Sequence, residues 1–309
     1  MPEGHTVHRI AQLFTELFAG QVLVASSPQG RFSEGAALIS ATTLLTSQAI
    51  GKQLFLGFEA DRCVRVHLGI YGAWDVISRS GELTRAGSPD TVSLGAPRVR
   101  RRIGETETSI SSDVAFPPPP VGQVRLRLET SDTVADLRGP TACELITPEG
   151  REVIEARLGP DPMHDRGKKS GAIFAQRLAR TSRPIGLVLM DQGVVSGIGN
   201  VYRAEILFRH RLDPYLSANS LDAELVHRLW KDWGVLLARG VQTGVMMTRD
   251  DLDAKGKALA LEERGERYFV YGRQGQPCRV CRTPIVMAMM ATRKLYFCPQ
   301  CQTSIGRSS

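Results

Sequence analysis

The first residues of the chain, Met1-Pro2-Glu3-Gly4, place an amine next to a carboxylate that could carry out covalent chemistry. Removal of Met1 would leave Pro2 as a free secondary amine, and an α-amino group has a reference pKa of about 7.7–8. Near neutral pH part of such an amine is unprotonated and can attack a carbonyl-type carbon. Glu3, one peptide away, could carry the proton. The same dipeptide is also a common start of a soluble chain, so these residues alone leave both interpretations open.

Cysteine spacing near the end of the chain predicts a metal site. Four of the six cysteines lie there in two close pairs, namely Cys278, Cys281, Cys298 and Cys301. The C-x2-C, x16, C-x2-C spacing fits a tetrahedral thiolate zinc site closed by a hairpin. Because four protein ligands leave no open position, the predicted ion is structural and not catalytic. The isolated Cys63 and Cys143 are expected to be small buried side chains.

Two further features could bind phosphate. In Gly197-Ile198-Gly199-Asn200 the glycines allow a tight turn that leaves backbone amides near the start of the next helix, where an anion is favoured. The Asn200 side chain could add a donor there. Arg293 lies five residues before Cys298, on the predicted hairpin, where a basic side chain suits contact with a nucleic-acid phosphate. Each feature has an ordinary alternative, a simple turn in the first case and a solvated side chain in the second.

Apolar spacing in the first half of the chain predicts a helix followed by a β-rich segment. Apolar residues recur at helical intervals from Thr6 to Gly20, which predicts an amphipathic helix that holds the N-terminal tail. Residues 21–78 are predicted to form short strands, among them Gln53–Phe58 and Cys63–Leu68. Regularly spaced short strands indicate a sandwich or a barrel.

The next segment, residues 79–122, is rich in Gly, Ser, Thr and Pro and includes the basic run from Arg98 to Arg102. It is predicted to be a long flexible insertion with solvated arginines. A strand pattern resumes at Val124–Glu129, where the alternating Arg125 and Arg127 are expected to face solvent.

After residue 148 the pattern is helical, with helices predicted at 171–180, 184–191, 200–211 and 221–239. A β-rich half, a helical part and a cysteine-bearing tail give an α+β fold class. The predicted domains are residues 2–147, 148–265 and 266–309.

Composition is that of a soluble globular protein with a basic surface. Of 309 residues, 39 are Lys or Arg and 32 are Asp or Glu, giving a formal net charge of +7. This balance is compatible with nucleic acid as a partner. The chain has neither a run of apolar residues long enough for a spanning helix nor a secretory signal at its start, so a cytoplasmic protein without membrane association is expected.

Taken together, Pro2-Glu3-Gly4, Gly51-Lys52, Gly197-Ile198-Gly199-Asn200 and the four-cysteine tail resemble the bacterial Fpg/Nei family of DNA glycosylases. The resemblance extends in order from residue 2 to about residue 302, with 79–122 as the main insertion. Because the chain opens Met-Pro-Glu-Gly, it is more similar to the endonuclease VIII (Nei) branch than to formamidopyrimidine-DNA glycosylase.

The resemblance implies an N-terminal two-layer β-sandwich, a helix–two-turn–helix domain and a zinc finger. It implies a bifunctional base excision repair enzyme that flips an oxidised base, preferably a pyrimidine, out of damaged DNA. Pro2 would form a Schiff base with the sugar, Glu3 would act as acid and base, and Lys52 and Arg293 would assist catalysis. Asn200 and Arg293 would bind the phosphates that flank the lesion, and Arg157 is a further candidate DNA contact. The resemblance also implies one structural zinc ion, no redox or nucleotide cofactor, and a monomer associated with the bacterial nucleoid.

Two positions depart from the family pattern. The Gln-Leu-Tyr wedge that fills the gap left by the flipped base corresponds here to Gly69-Ile70-Tyr71, and a common carboxylate is replaced by Thr6. Ile70 and Tyr71 retain apolar surface that can enter a base step, whereas Gly69 lacks the hydrogen-bonding groups of glutamine. We therefore expect tolerance of bubbles or single strands. The alternatives are a formamidopyrimidine-type purine glycosylase and a non-catalytic, zinc-dependent DNA-binding protein.

Overall fold

A computed structural model describes residues 2–79, 91–95, 116–164 and 168–303. The chain divides into two compact units, Met1–Pro2 with Thr6–Glu155 and Glu3–His5 with Ala156–Ser309. The predicted α+β class is confirmed, with the strands of the first unit forming a β-sandwich. The domain limits at 147/148 and 265/266 stay predictions.

The described residues form a β-rich first part, a helical part and a two-stranded hairpin, in that order. The helices are α1 Gly4–Phe18, α2 Ser33–Ile39, α3 Pro148–Arg157, α4 Lys168–Ala179, α5 Ile185–Val188, α6 Asn200–Arg209, α7 Ala223–Thr243 and α8 Ala254–Glu262. The strands are β1 Val22–Ser26, β2 Thr42–Ile50, β3 Gln53–Phe58, β4 Arg62–His67, β5 Ala73–Ser78, β6 Thr91–Gly95, β7 Val124–Glu129, β8 Thr133–Arg138, β9 Ala142–Ile146, β10 Val286–Met290 and β11 Arg293–Phe297.

Nine strands of the first unit form one continuous sheet in the order β6-β5-β8-β7-β1-β2-β3-β4-β9. Strand β1 changes partner midway, because Val22 and Leu23 pair with β2 whereas Val24 to Ser26 pair with β7. Side chains from both halves of the sheet, such as Leu56 of β3 and Trp74 of β5, belong to the same buried core. The sheet therefore folds over at β1 into the two layers of a sandwich.

Helix α1 supplies one wall of that core. It starts two residues before the predicted start and ends at Phe18, and the ring of Phe14 packs edge to face against Trp74 with centroids 4.8 Å apart. Of the apolar residues at helical spacing that predicted this helix, four are buried and two, Leu13 and Leu17, are partly buried against the same core; the buried ones are Val7, Ile10, Phe14 and Phe18. The helix thereby fixes the chain immediately after the N-terminal dipeptide.

Two expectations for the first unit are wrong. Within the segment predicted to hold only strands, residues Ser33–Ile39 form α2. Arg127 does not face solvent; its guanidinium is buried and donates to both carboxylate oxygens of Asp136 at 2.7 and 2.9 Å. The two residues lie directly opposite each other in the β7–β8 ladder, and this pairing makes burial of the arginine tolerable.

The predicted insertion contains one described strand. Thr91–Gly95 forms β6, which pairs antiparallel with β5 from Ala73↔Gly95 to Ile77↔Thr91. The basic run Arg98–Arg102 lies outside the described residues, as does most of the rest of the insertion. The edge of the sheet at β5 is therefore extended by part of the segment expected to be flexible.

Helices α6 and α7 organise the second unit. The apolar stripe of α7 is buried as predicted, with Asp222 capping its first turn and Gly244 ending it at φ +75°. In α6, by contrast, every residue from Asn200 to Phe208 is buried, including three with polar or charged side chains. Those polar side chains must be satisfied within the protein, and each joins α6 to another segment.

The two strands nearest the chain end form the predicted hairpin. Strands β10 and β11 pair from Val286↔Phe297 to Met290↔Arg293. Their two-residue connection, Ala291 and Thr292, has φ +41° and +35°, as a type I′ hairpin turn requires. Across the described ranges of the chain, the search for a bilayer-spanning helix found none with the necessary length and apolarity.

Candidate active site and metal centre

Glu3 is fully buried, and its carboxylate closes the N-terminal end of α6. Oε2 accepts hydrogen bonds from the backbone N–H groups of Gly199 at 2.9 Å and Tyr202 at 3.3 Å, and Oε1 accepts from Val201 at 2.8 Å. A helix N-terminus presents N–H groups without partners in the helix and favours negative charge. The anion predicted at this glycine turn is thus supplied by the chain itself, from a residue 196 positions earlier than Gly199.

Glycines at the turn are required by close approach. A Cβ at position 199 would lie 2.3 Å from Cδ of Glu3, and one at position 4 would lie 2.9 Å from Cα of Gly197. The Gly4 N–H donates to the Gly197 carbonyl at 2.9 Å, and Gly197 itself has φ +92°. The N-terminal motif and the Gly197-Ile198-Gly199-Asn200 motif therefore form a single structure.

Tyr202 lies next to the buried Glu3 carboxylate. Burial, and next the negative charge of Glu3, raise the pKa of the Tyr202 hydroxyl well above its ordinary value. Its ring packs edge to face on His5 with centroids 5.6 Å apart. A Cβ at Gly240 of α7 would come within 2.5 Å of the Tyr202 hydroxyl. Close packing between α6 and α7 therefore limits the movement of Glu3.

Asn200 and Arg203 attach α6 to the β10–β11 hairpin. The carbonyl of Lys294 accepts from Asn200 Nδ2 at 2.8 Å and from an Arg203 guanidinium nitrogen at 3.1 Å, and Arg203 also donates to Asn200 Oδ1. Burial, followed by the charge of Arg293, lowers the pKa of Arg203 to about 10. Asn200 is nearly buried in these contacts, so a DNA phosphate could reach its amide only by replacing one of them.

Arg293 is held in place by this attachment. It is exposed and occupies the first position of β11, next to Lys294 and directly after the type I′ turn. Its charge acts on Arg203, and the charge of Glu3 acts on Arg203 as well. Arg203 was not singled out in the sequence. The hairpin predicted to carry a phosphate-binding arginine is therefore fixed to the helix that holds Glu3.

Lys52 lies in the first unit, in the tight Gly51-Lys52 connection between β2 and β3. Gly51 has φ +58°, and Ile50 pairs directly with Gln53. Gln53 in turn pairs with His67 of β4. Burial, and then the positive charges of Lys52 and Arg65, lower the pKa of His67, which favours its neutral imidazole. His67 is a polar neighbour of Lys52 that sequence reasoning missed, because only the strand register brings the two together.

Ile70 and Tyr71 project from the turn between β4 and β5. Their side chains are 49% and 81% exposed, whereas the flanking Leu68 is buried. The Gly72 N–H donates to the Leu68 carbonyl at 2.9 Å and closes the turn. Gly69 has φ +66°, and a Cβ there would lie 1.8 Å from Oγ1 of Thr141. The backbone therefore excludes a glutamine at this position without rearrangement and leaves two apolar side chains in solvent.

Arg157 is the last residue of α3, and its side chain is exposed. The following segment is anchored, since the Gly159 N–H donates to the Gln192 carbonyl at 2.7 Å. Arg177 donates to the carbonyls of Leu158 and Gly193. The structure thus places Arg157 beside the segment 191–199 that leads into α6, and its DNA contact stays a prediction.

Glu205, one turn along α6, is a second buried carboxylate that the sequence did not single out. It accepts from the N–H groups of three consecutive residues, Phe269, Val270 and Tyr271, at 2.8, 2.9 and 2.8 Å. The Thr248 hydroxyl also donates to it. Glu205 therefore joins both ends of the segment that carries α8, residues 249–268, to α6.

The four predicted metal ligands come together. The sulfurs of Cys278, Cys281, Cys298 and Cys301 all lie within 4.8 Å of one another. The Cys278–Cys301 and Cys281–Cys298 sulfur pairs are 3.9 and 3.4 Å apart. Four thiolates about 2.3 Å from a central ion in a tetrahedron are about 3.8 Å from each other. The donor set and its dimensions fit one structural zinc ion.

The zinc finger is bound to the rest of the second unit. Gln302 accepts from the Cys298 N–H at 2.8 Å and donates to the Leu212 carbonyl at 3.0 Å. Cys278 and Cys298 share a buried cluster with Ala204 and Phe208 of α6. Metal binding therefore stabilises the hairpin that presents Arg293.

Comparison with known proteins identifies the same parts. Residues 158–251 match the formamidopyrimidine-DNA glycosylase H2TH domain, and residues 275–303 match the zinc finger found in FPG and IleRS. Endonuclease 8 1 of Mycobacterium tuberculosis is 38% identical over 304 residues, covering 98% of this chain and 100% of the relative. The formamidopyrimidine-DNA glycosylase of Geobacillus kaustophilus is 37% identical over 147 residues, 48% of this chain and 52% of the relative.

A solved structure of the Lactococcus lactis Fpg with DNA containing an abasic site has the same fold, with a TM-score of 0.71 and 18% identity, over 98% of this chain and 100% of that one. The predicted sandwich, helix–two-turn–helix domain and zinc finger are thus confirmed. Because the endonuclease 8 relative matches along its whole length, the chain belongs to the Fpg/Nei family of DNA glycosylases with AP lyase activity.

Proposed function

We propose that this DNA glycosylase and AP lyase removes oxidised bases, pyrimidines in preference to purines, through a Schiff base on Pro2. The buried contact of Glu3 with Gly199 and Val201 carries the proposal. It fixes the residue bonded to Pro2, and an N-terminal nucleophile must be held in place to act. Removal of Met1 is part of the proposal, since an acylated proline nitrogen is not a nucleophile.

In the proposed reaction the Pro2 nitrogen attacks C1′ of the flipped nucleotide. The glycosidic bond breaks, the base leaves with the bonding pair and a proton, and the sugar ring opens to give an iminium between Pro2 and C1′. Glu3 is the proposed carrier of the proton to and from the ring oxygen. The iminium withdraws electrons from C2′, so loss of a C2′ proton expels the 3′ phosphate and nicks the strand.

Lys52 and Arg293 are the proposed cationic partners of the opened sugar and its phosphates. Burial, and then the positive charges of Lys52 and Arg65, lower the pKa of His67, which supports a neutral imidazole near Lys52. Asn200 and Arg203 support the Arg293 role by fixing the hairpin. We include Arg157 and Asn200 as DNA contacts on the resemblance alone.

Ile70 and Tyr71 are the proposed wedge that enters the duplex where the base is flipped out. Their exposure supports this role, since an apolar side chain can replace the lost stacking. Without side-chain hydrogen bonds from position 69, the enzyme should discriminate weakly among opposite bases and accept bubbles or single strands. Strict dependence on duplex DNA would contradict that part of the proposal.

A trapping experiment tests the chemistry. The protein, with Met1 removal verified by mass spectrometry, is incubated with borohydride and oligonucleotides that carry thymine glycol, dihydrouracil, 8-oxoguanine or an abasic site. We expect a covalent adduct, faster excision of the two pyrimidines, and strong loss of excision in Pro2→Gly and Glu3→Gln. Absence of any adduct would refute the Pro2 mechanism, and preference for 8-oxoguanine would favour the purine-directed alternative.

We further propose that the enzyme acts as a monomer on nucleoid DNA in the bacterial cytoplasm. The bacterial relatives support the setting. The zinc ion has a purely structural part, because four cysteine ligands leave no position for substrate.

A further inference from the structure

A pocket of about 430 Å³ lies at the C-terminal end of α6, at the opposite end of that helix from Glu3. We call it the distal pocket. Arg209 lies nine positions after Asn200, about 13.5 Å along the helix axis. The distal pocket is lined by residues of α6, of α7, of the segment before the zinc finger and of the finger itself: Phe208, Arg209, His210, Arg211, Arg228, Lys231, Asp232, Val235, Asp250, Phe269, Val280 and Cys301.

The two acidic residues of the distal pocket both interact with Arg209. Asp232 accepts two hydrogen bonds at 2.8 Å from Arg209 and lies 3.2 Å from His210 Nε2. Asp250 is 2.9 Å from the same arginine. Arg209 is therefore engaged by these two carboxylates and is not available to a ligand.

Three other cations surround the opening. Arg211 and Lys231 are exposed, and their side chains make no hydrogen bond or ion pair with any part of the chain that the structure describes. Arg228 forms an ion pair with Glu224, whose side chain is 82% exposed, and such a surface pair contributes little. Arg211 has φ +52°, a conformation that residues other than glycine seldom adopt. The opening thus carries positive charge available to a ligand.

Apolar side chains lie between these cations. Val235 of α7 and Val280 of the zinc finger both line the pocket and are 53% and 56% exposed. The rings of Phe208 and Phe269, which also line it, stack with centroids 5.1 Å apart. On α7, Arg228, Lys231 and Val235 share one face at helical spacing. A nucleic-acid backbone would contact the cations and leave both valine side chains exposed to water, whereas a peptide with an apolar side chain can bury both.

We propose that the distal pocket docks an acidic segment of a partner protein. Carboxylates of that segment bind Arg211, Lys231 and Arg228, and one aliphatic or aromatic side chain packs between Val235 and Val280. Charge complementarity selects the acidic segment, and the exposed valines select one with an apolar residue. Because this surface lies at the far end of α6 from Glu3, the enzyme can hold DNA and the partner at once.

Fluorescence anisotropy at low salt tests the proposal on the full-length zinc-loaded protein. The probe is a labelled peptide of about ten residues with alternating Asp and Ser and Leu at two central positions. Two controls carry Ser for Leu or Lys for Asp. We compare Arg211→Ala/Lys231→Ala with Lys255→Ala/Lys257→Ala, which removes the same charge from exposed positions on α8.

We expect saturable binding of the Leu-containing acidic peptide and weaker binding of both controls. Arg211→Ala/Lys231→Ala should weaken it roughly five- to tenfold, with the α8 variant and the affinity for abasic-site DNA unchanged. Val235→Ser should lower the affinity for the Leu-containing peptide to the affinity measured for the Ser-containing control. The proposal is overturned by lack of saturable binding, by equal loss in both double variants, or by a fall in DNA affinity with peptide binding intact.

Discussion

The side chain of Glu3 occupies the space that a Cβ at position 199 would need, and its carboxylate accepts the Gly199 N–H at 2.9 Å. A single interaction therefore closes α6, fixes the residue next to Pro2 and explains why the turn contains glycine. Both residues lie in the same compact unit, although nearly the whole of the first unit separates them in the chain.

Gly199→Ala should displace the Glu3 carboxylate from the N-terminal end of α6. The added methyl would lie 2.3 Å from Cδ of Glu3, so the carboxylate must move, and a displacement of about 1 Å near reacting groups costs about 100-fold in rate. We expect such a loss in single-turnover excision and in borohydride trapping. Gly265→Ala is the control because a Cβ there meets nothing within 4 Å. Equal activity of the two variants would show that Glu3 need not be held at α6.

Glu205→Gln should destabilise the second unit. The carboxylate accepts three backbone N–H groups and the Thr248 hydroxyl while fully buried, and the amide of glutamine would turn a donor toward those donors. Hydrogen bonds to a charged group contribute about 1.5–3 kcal/mol, so a loss of about 3 kcal/mol in the free energy of unfolding is expected. Urea denaturation measures it against Glu262→Gln, an exposed position on α8. A change under 1 kcal/mol would contradict the structural role of Glu205.

Asp232 should make stability depend on acid pH. Burial opposes its ionisation, but hydrogen bonds from His210 and Arg209 lower its pKa from 3.8 to about 2. The ionised Asp232 therefore contributes about 2 kcal/mol to the free energy of unfolding. This contribution is present above the unfolded pKa and is lost as pH falls from about 4 toward 2. The destabilisation caused by Asp232→Asn should therefore shrink to about half between pH 7 and pH 3 in urea titrations. Glu16→Gln, at an exposed position, is the control. A difference in unfolding free energy between the unsubstituted protein and Asp232→Asn that does not change with pH would contradict the lowered pKa of Asp232.

Cys298→Ser should remove zinc and weaken DNA binding while leaving the first unit folded. Cys298 is one of four ligands and packs with α6, and removing a ligand from a structural site costs the folding energy that the metal supplies. Zinc content per chain, DNA anisotropy and the near-ultraviolet signal of Trp74 measure the three outcomes. Cys143→Ser is a matched control, since Cys143 belongs to the core of the first unit and is not one of the metal ligands. Full DNA affinity without zinc would show that the finger does not hold DNA.

Tyr71→Ala should slow excision from duplexes more than from single strands. An exposed ring that fills the gap left by a flipped base has that role only where a complementary strand is present. A loss of about tenfold on duplex DNA is consistent with the 1–3 kcal/mol of stacking on one aromatic ring. Comparing excision rates on matched duplex, bubble and single-stranded substrates tests this, and a uniform loss on all three would point to another role for Tyr71.

Local patterns in the sequence predicted those elements whose signal is contained in the element itself. Strands β3 and β7 have the predicted bounds, because their β-branched and aromatic residues end at turn residues. Helix α2 escaped prediction because seven residues, one of them glycine, give too short a periodic pattern. The solvent exposure expected for Arg127 failed because its partner Asp136 depends on the register of β7 against β8.

The candidate site shows the same limit at longer range. Residue types and spacing in the tail predicted four converging thiolates, because ligand spacing is itself local. Neither the cap that Glu3 places on α6 nor the position of His67 near Lys52 could be inferred from local spacing, since both arise only when distant segments pack. Resemblance to a family supplied the motifs, and the structure supplied the contacts that join them.

The attachment of α6 to both ends of the chain has a consequence for its synthesis. Glu3 leaves the ribosome among the first residues, but Asn200 and Arg203 receive their carbonyl acceptor only when Lys294 has emerged. A nascent or truncated chain that ends before β11 therefore lacks the hydrogen bonds by which Asn200 and Arg203 attach the hairpin to α6. The attachment of the hairpin to α6, and with it the position of Arg293, can therefore form only after β11 has been made.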